Sequence, residues 1–358
     1  MTLLFRRTAA WLLVVIVVLV ALRLALPYLV KDYLNRHMDH MGDYHGQVAE
    51  VGIALWRGAY TLDGLRVDKV SGKVPVPLFA ATRTDISLSW HALLRGRLRG
   101  KVVFAHPTLN FVDGGSDAEQ QVGKGVNWRV QLQKLMPMQL DELTVHDGVV
   151  TFRNFVSKPP VDLKMTDVEG TVRNLGNGDR RQGRRVATMQ ASARVLGDAP
   201  LQASASFDPL EQRGDFKLDL RITGIQLVRL NDLARAYAKL DFAAGNGDFV
   251  MQLEARDGLL EGYAKPLLHG VRIFSWKQDV EQEHGNPLRL AWEAAAQAVT
   301  SIFKNHREDQ FATRVPISGR IDDKRLGTWD AVVGVLRNAF VKAYTPQLEH
   351  LPAMPDKS

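Results

Sequence analysis

The chain has 358 residues, 46% hydrophobic and 24% charged, with 29 Gly and 15 Pro. This is the composition of a protein that folds around a core, long enough for one large or two ordinary domains, and it excludes a disordered, low-complexity or small stapled protein. The absence of Cys removes thiolate metal sites, iron–sulfur clusters, Cys nucleophiles and disulfides, while the net charge of +7 is a mild basic bias.

At the start of the chain, Arg6 and Arg7 precede an uncharged run from Thr8 to Leu22, which resumes after Arg23 as Leu24 to Val30. A helix over Thr8 to Val30 is about 34 Å long, against a hydrocarbon core of roughly 30 Å. Arg23 lies near its end, where a guanidinium can snorkel toward headgroups, and Tyr28 and Lys31 are interface residues. The sequence therefore predicts a spanning anchor over 1–31. A cleaved signal peptide is the rival, poorly supplied with a small-x-small site at Leu24-Ala25-Leu26-Pro27. The positive-inside rule puts Arg6 and Arg7 in the cytoplasm and the rest of the chain outside it, in the periplasm of a Gram-negative cell.

Beyond the anchor the dominant period is two. Phe216, Leu218, Leu220 and Ile222 alternate with Lys217, Asp219, Arg221 and Thr223, and the pattern recurs in Phe249, Met251, Leu253 and Ala255. It is also present in Ile86 to Trp90, Ala187 to Val195 and Leu201 to Phe207. One-sided strands of this kind form an antiparallel sheet with a single apolar face. Asp-Gly at 63–64, 113–114, 147–148 and 257–258 predicts tight hairpins, because both residues tolerate positive φ.

Helices are few. Leu230, Leu233, Ala234, Tyr237 and Leu240 have helical spacing between strands, a short helix is expected near 127–136, and Asn286-Pro287 and Thr328 open two more. Between the last two, Arg314 to Ile321 alternates again. The expected organisation is an anchor over 1–31, a β-groove over 32–284, a helix–strand–helix cap over 285–345 and a loose tail over 346–358.

A one-sided sheet must cover its apolar face, and two readings stay open: a filled sandwich or barrel, and a curved trough whose lining accepts acyl chains. The candidate lining is Phe216, Leu218, Leu220, Ile222, Phe249, Met251 and Leu253. Arg180, Arg181, Arg184 and Arg185, in a Gly- and Asn-rich segment, are candidates for anionic headgroups, as are Arg95, Arg97, Arg99 and Lys101; the plain alternative is a solvated surface. His37, His40 and His45, and separately Glu281, Glu283 and His284, have metal-ligand residue types in ordinary interface and turn settings. Asp215, Asp219 and Asp248 are carboxylates near strand starts. There is no Gly-x-Ser-x-Gly elbow, HExxH or phosphate loop, so the sequence points to neither an enzyme nor a cofactor.

The stretch from Gly258 to Leu268, with Gly262-Tyr263-Ala264-Lys265-Pro266 at its centre, followed by HGVRIF, resembles the AsmA-like domain of bacterial envelope proteins. The likeness extends over Asp215, Leu230, Asn231, Leu233, Gly247 and Phe249, to Val315-Pro316-Ile317 with Gly319, and to Leu336 through Phe340. It implies a mainly β protein: one N-terminal transmembrane helix, then a curved antiparallel β-groove, an open barrel or taco with a few amphipathic helices. It further implies an inner-membrane protein with a periplasmic bulk that binds or transfers phospholipid and supports outer-membrane lipid homeostasis. Its expected partners are the bilayer, phospholipid acyl chains and other envelope proteins, and no nucleic acid is expected. The chain is far shorter than the bridging members of that family. The alternative is an envelope scaffold or assembly factor with a fully packed sheet.

Overall fold

The computed structural model describes residues 2–54, 57–88, 99–116, 118–123, 126, 139–175, 187–208, 215–238, 240–275, 310–312 and 314–320, with some side chains omitted, among them 2–10, 12, 15, 19 and 22. The expected helices near 127–136, after Asn286 and after Thr328 lie outside these residues.

Helix α1 spans Thr2–Met38. It runs through residue 31 without a break, because Pro27 is the only helix breaker within it and the apolar register resumes at Leu34 and Met38. Counted over the described side chains alone, no helix is long and apolar enough to cross a membrane.

The rest is one curved, unclosed sheet of 14 strands. The first nine are β1 (Tyr44–Gln47), β2 (Glu50–Ala54), β3 (Ala59–Lys69), β4 (Phe79–Leu88), β5 (Arg99–Val112), β6 (Gln139–Asn154), β7 (Val161–Arg173), β8 (Ala187–Val195) and β9 (Ala199–Phe207). They are followed by β10 (Phe216–Gln226), β11 (Leu240–Arg256), β12 (Leu259–Ser275), β13 (Gln310–Ala312) and β14 (Val315–Arg320). The order is β1-β3-β4 and then sequential to β13, with β2 on β3 and β14 on β12. Twelve strands along this path at ~4.8 Å spacing reach only ~53 Å. Because β13 and β14 pair with β12, the alternating stretch at 314–321 is an edge of the main sheet.

Two features depart from a simple meander. Strands β5 and β6 are parallel, a pairing that no tight hairpin can connect. Only Asp257-Gly258 is a hairpin turn, with φ of 50° and 79°. Asp63-Gly64 and Asp147-Gly148 lie inside β3 and β6, and Asp113-Gly114 follows β5 without a hairpin. At 147–148 the register shifts and Asp147 has φ 51°, so the residue pair serves a β-bulge. Positive φ suits a bulge as well as a type I′ turn, and local sequence does not distinguish them.

Between β10 and β11, a 3₁₀ turn (Leu227–Leu230) leads into α2 (Asn231–Ala238), where the helical spacing predicts it. Leu233 and Tyr237 pack on Val161, Phe152 and Leu163 of β6 and β7, so α2 reaches back over one rim of the sheet. There Tyr237 donates its hydroxyl to buried Asp113, and Asn154 Nδ2 donates to Tyr237 Oη at 2.8 Å.

Candidate functional site

Alternation puts one apolar row on the same face of successive strands, and the register joins the rows. From β11 to β6 one row reads Met251, Leu220, Ala203, Ala191, Gly170 and Val145. Through β5, β4, β3 and β2 it continues as Phe104, Thr84, Leu62 and Val51. The neighbouring row runs Leu253, Leu218, Ala205, Met189, Val172 and Leu143, then Val102, Ile86, Tyr60 and Ile53. Apart from Thr84, the face is apolar across ten strands. Burial pushes the Tyr60 phenol up to about 12, as expected for a hydroxyl set among apolar neighbours.

Side-chain size is uneven along these rows. Over β7 to β9 the first row is Gly170, Ala191 and Ala203, whose side chains barely rise from the backbone, while the second is Val172, Met189 and Ala205; the three alanines are half-buried. Larger groups flank them: Leu218, Leu220, Ile222, Phe249 and Met251 on β10 and β11, and Leu143, Val145 and Phe104 on β6 and β5. The first row therefore carries its smallest side chains in the middle, at Gly170, Ala191 and Ala203, and at the β10–β11 end Phe216, Leu218, Phe249 and Met251 pack against the C-terminal cluster.

The two ends of the face are closed. At the N-terminal end Leu34 and Met38 of α1 join Val51, Leu62, Val67, Ile86 and Val102 in one buried cluster. The C-terminal end of α1 is therefore packed directly against the apolar face of the sheet. At the other end Leu253, Ala255, Leu260, Ala264, Val315 and Ile317 are at most 3% exposed.

Of the seven predicted lining residues, Phe216, Leu218, Leu220, Ile222, Phe249 and Met251 are half-buried and share this face, while Leu253 is closed into the C-terminal cluster. The strands align them as cross-strand pairs: Leu218 opposite Leu253, Leu220 opposite Met251, Ile222 opposite Phe249. Arg180, Arg181, Arg184 and Arg185 lie outside the described residues, as do Arg95, Arg97, Glu281, Glu283 and His284. Arg99 faces Asp141 at 3.5 Å and Lys101 faces Glu142 at 3.3 Å, so both have carboxylate partners.

His37, Asp215, Asp219 and Asp248 have structural partners. His37 Nδ1 lies 2.8 Å from the Tyr33 carbonyl oxygen. Asp215 is buried and accepts the Asp257 N–H at 2.7 Å, bracing the β11–β12 turn. Asp219 accepts Gln252 Nε2 and Asp248 accepts the Gly224 N–H, each at 2.8 Å. Among the described residues no group of three or more His, Asp or Glu is placed to hold a metal.

The opposite, polar face has a cavity of about 670 Å³ crossing β6 to β11, which sequence reading missed because its walls are ordinary outward-facing residues. At its β6–β7 end His146 Nδ1 lies 2.9 Å from Glu169 Oε2, and the Asp147 N–H donates to Glu169 Oε1 at 2.8 Å. The Asp147 N–H first, then the His146 ring, hold the Glu169 carboxyl below its usual range.

The motif behind the family resemblance is a strand-pairing device. A Cβ at Gly262 would lie 2.1 Å from the Gln252 carbonyl oxygen, and Pro266 falls between the stretches of β12 that pair with β14 and β13, where no N–H is needed. Arg314 sits over the Tyr263 ring at 4.2 Å. No family model matches the chain, and no curated protein matches it.

Proposed function

We propose that this protein is a membrane-anchored carrier that holds phospholipid acyl chains in a furrow along the apolar rows of the sheet, on the periplasmic side of a bacterial inner membrane, and supports outer-membrane lipid homeostasis as the AsmA-like resemblance implies. One observation carries the reading: Leu34 and Met38 of α1 pack in one buried cluster with Val51, Leu62, Ile86 and Val102, so the apolar N-terminal helix is joined directly to the apolar face of the sheet.

Two further observations support it. Trp11, Leu13, Val14, Ile16, Val17, Val18, Val20 and Leu24 are all exposed, and at 100° per residue they cover more than half the circumference of α1. That arc is wider than the stripe one partner element covers, and a bilayer meets it on every side. Gly170, Ala191 and Ala203 carry the smallest side chains of the first apolar row, and they form the floor of the furrow in this reading. Burying an acyl chain there contributes about 0.8 kcal/mol per CH₂, and equivalent contacts along the rows let the chain slide without chemistry.

Native mass spectrometry of the detergent-extracted protein tests the reading. The wild-type chain is expected to retain phospholipid, and Leu220→Asp is expected to lose it while keeping membrane insertion and an unchanged β-sheet spectrum. Lipid retained by a folded Leu220→Asp variant would sink the furrow assignment. A wild-type protein free of lipid favours the scaffold alternative, to which the closed cluster around Leu260 and Ile317 is suited.

A further inference from the structure

The polar face has a site that the lipid reading does not use. The cavity lies between two ladders of side chains, each crossing six strands and thus ~24 Å long. One ladder is Thr144, Thr171, Gln190, Ser204, Asp219 and Gln252, aligned rung by rung by the strand register. The other is His146, Glu169, Ser192, Gln202 and Arg221, closed by Val250. Between them the floor is the backbone of small residues, Gly170, Ala191 and Ala203 among them, whose side positions belong to the other face.

The chemistry of the walls narrows the ligand. Glu169 and Asp219 are offset by Arg221 and, when protonated, His146, so the lane has little net field to select an anion or a cation. The other polar groups are hydroxyls and primary amides, each able both to donate and to accept. A ligand with the same dual character along its length, and no charge, is a polyhydroxylated chain. Spacing decides between a sugar chain and a peptide. The rungs recur every ~4.8 Å, whereas an extended peptide presents same-side groups only every ~6.7 Å and drifts out of step. A pyranose ring with its linkage is close to one rung.

The backbone is bent at one end of the lane. His106, Asp147 and Asp167, on the adjacent strands β5, β6 and β7, all have left-handed φ of 50° to 51°. The register shifts beside them, between Val145 and Gly148 and between Thr166 and Glu169, displace His146 and Glu169 relative to the regular ladder. Bulges are a recurrent means of re-aiming side chains at binding sites. At the other end Gln252 Nε2 holds Asp219 at 2.8 Å.

We propose that this lane is a second ligand site, for a neutral linear oligosaccharide, lying across the sheet on the face away from the acyl furrow. It stands independently of the lipid reading. The lining has no aromatic ring for a sugar to stack on, so affinity comes from many modest hydrogen bonds and grows with chain length.

Calorimetric titration of the full chain in nanodiscs with chitooligosaccharides of two to six units tests this. Affinity is expected to rise by about tenfold from the dimer to the pentamer and then level off, where the lane ends. Ser204→Trp, at an exposed position in mid-lane, is expected to abolish binding without changing bound phospholipid. Gln190→Ala removes hydrogen bonds alone and is expected to weaken the pentamer by about threefold, which keeps the test valid if the Trp variant fails to fold. No binding of any oligomer, affinity independent of length, equal binding by folded Ser204→Trp, or preference for polyglutamate or an extended peptide would each overturn the proposal.

Discussion

Asn35, near the end of α1, grips Val48 by both of its backbone groups: the Val48 N–H donates to Asn35 Oδ1 at 2.8 Å and Asn35 Nδ2 donates to the Val48 carbonyl at 3.3 Å. Val48 sits between β1 and β2, so one side chain fixes the helix to the first corner of the sheet. The angle at which the sheet leaves α1 rests on this clamp together with the packing of Leu34 and Met38.

Replacing Asn35 with Ala is expected to cost about 1–3 kcal/mol, since two hydrogen bonds to part-buried backbone are lost. Amide exchange at Val48 should accelerate by at least an order of magnitude, whereas amides in β9 and β10 should not change. Uniform acceleration across the sheet would show that the clamp supports the whole fold instead of the helix junction.

The rim formed by α2 offers a second test. Tyr237→Phe removes a donor from Asp113 and an acceptor from Asn154, both buried. Denaturant unfolding is expected to show a loss of about 1–3 kcal/mol. A variant as stable as wild type would mean that other partners of Asp113 hold α2 in place.

Gly262 tests whether the Gly-Tyr-x-Lys-Pro stretch is structural. Gly262→Ala should destabilise the protein by about 2–4 kcal/mol, because its Cβ collides with the backbone of β11. Lys265→Ala is expected to change stability by no more than about 0.5 kcal/mol and to leave bound lipid unchanged. Loss of lipid in a stable Lys265→Ala protein would give the motif a binding role.

Glu169 gives a pH signature. Its folded-state value is held below the unfolded one, so the ionised carboxylate contributes stability above the ordinary glutamate range that disappears as pH falls through the depressed folded value. In a carbon-detected NMR titration, His146→Ala should raise the Glu169 midpoint only part of the way to normal, because the Asp147 N–H is the larger cause. Full recovery in that variant, or an ordinary midpoint in wild type, would contradict the arrangement.

Much of the architecture is legible along the chain. Alternation identifies the apolar face of β10 and β11, and all seven residues read from it lie on that face, six half-buried and Leu253 buried. Helical spacing locates α2 through Leu233, Ala234 and Tyr237, whereas Leu240, read into the same helix, opens β11. Legibility fails where a contact is not made by a hairpin: the parallel β5–β6 pairing and the reach of Tyr237 to Asp113, 124 residues earlier, have no local signature. It fails again at Asp63-Gly64 and Asp147-Gly148, whose permitted φ fits two backbone devices equally well.

By itself the sequence determined the period of each strand, the side on which apolar groups lie and the apolar run at the N-terminus, because these depend on residues a few positions apart. The tertiary structure alone decided which strands stand side by side. Register aligned alanines and a glycine from three strands into one row, and set polar residues from six strands around a cavity on the reverse face. A row across a sheet is made of residues far apart in the chain, and its shape exists only once hydrogen bonding has set them level.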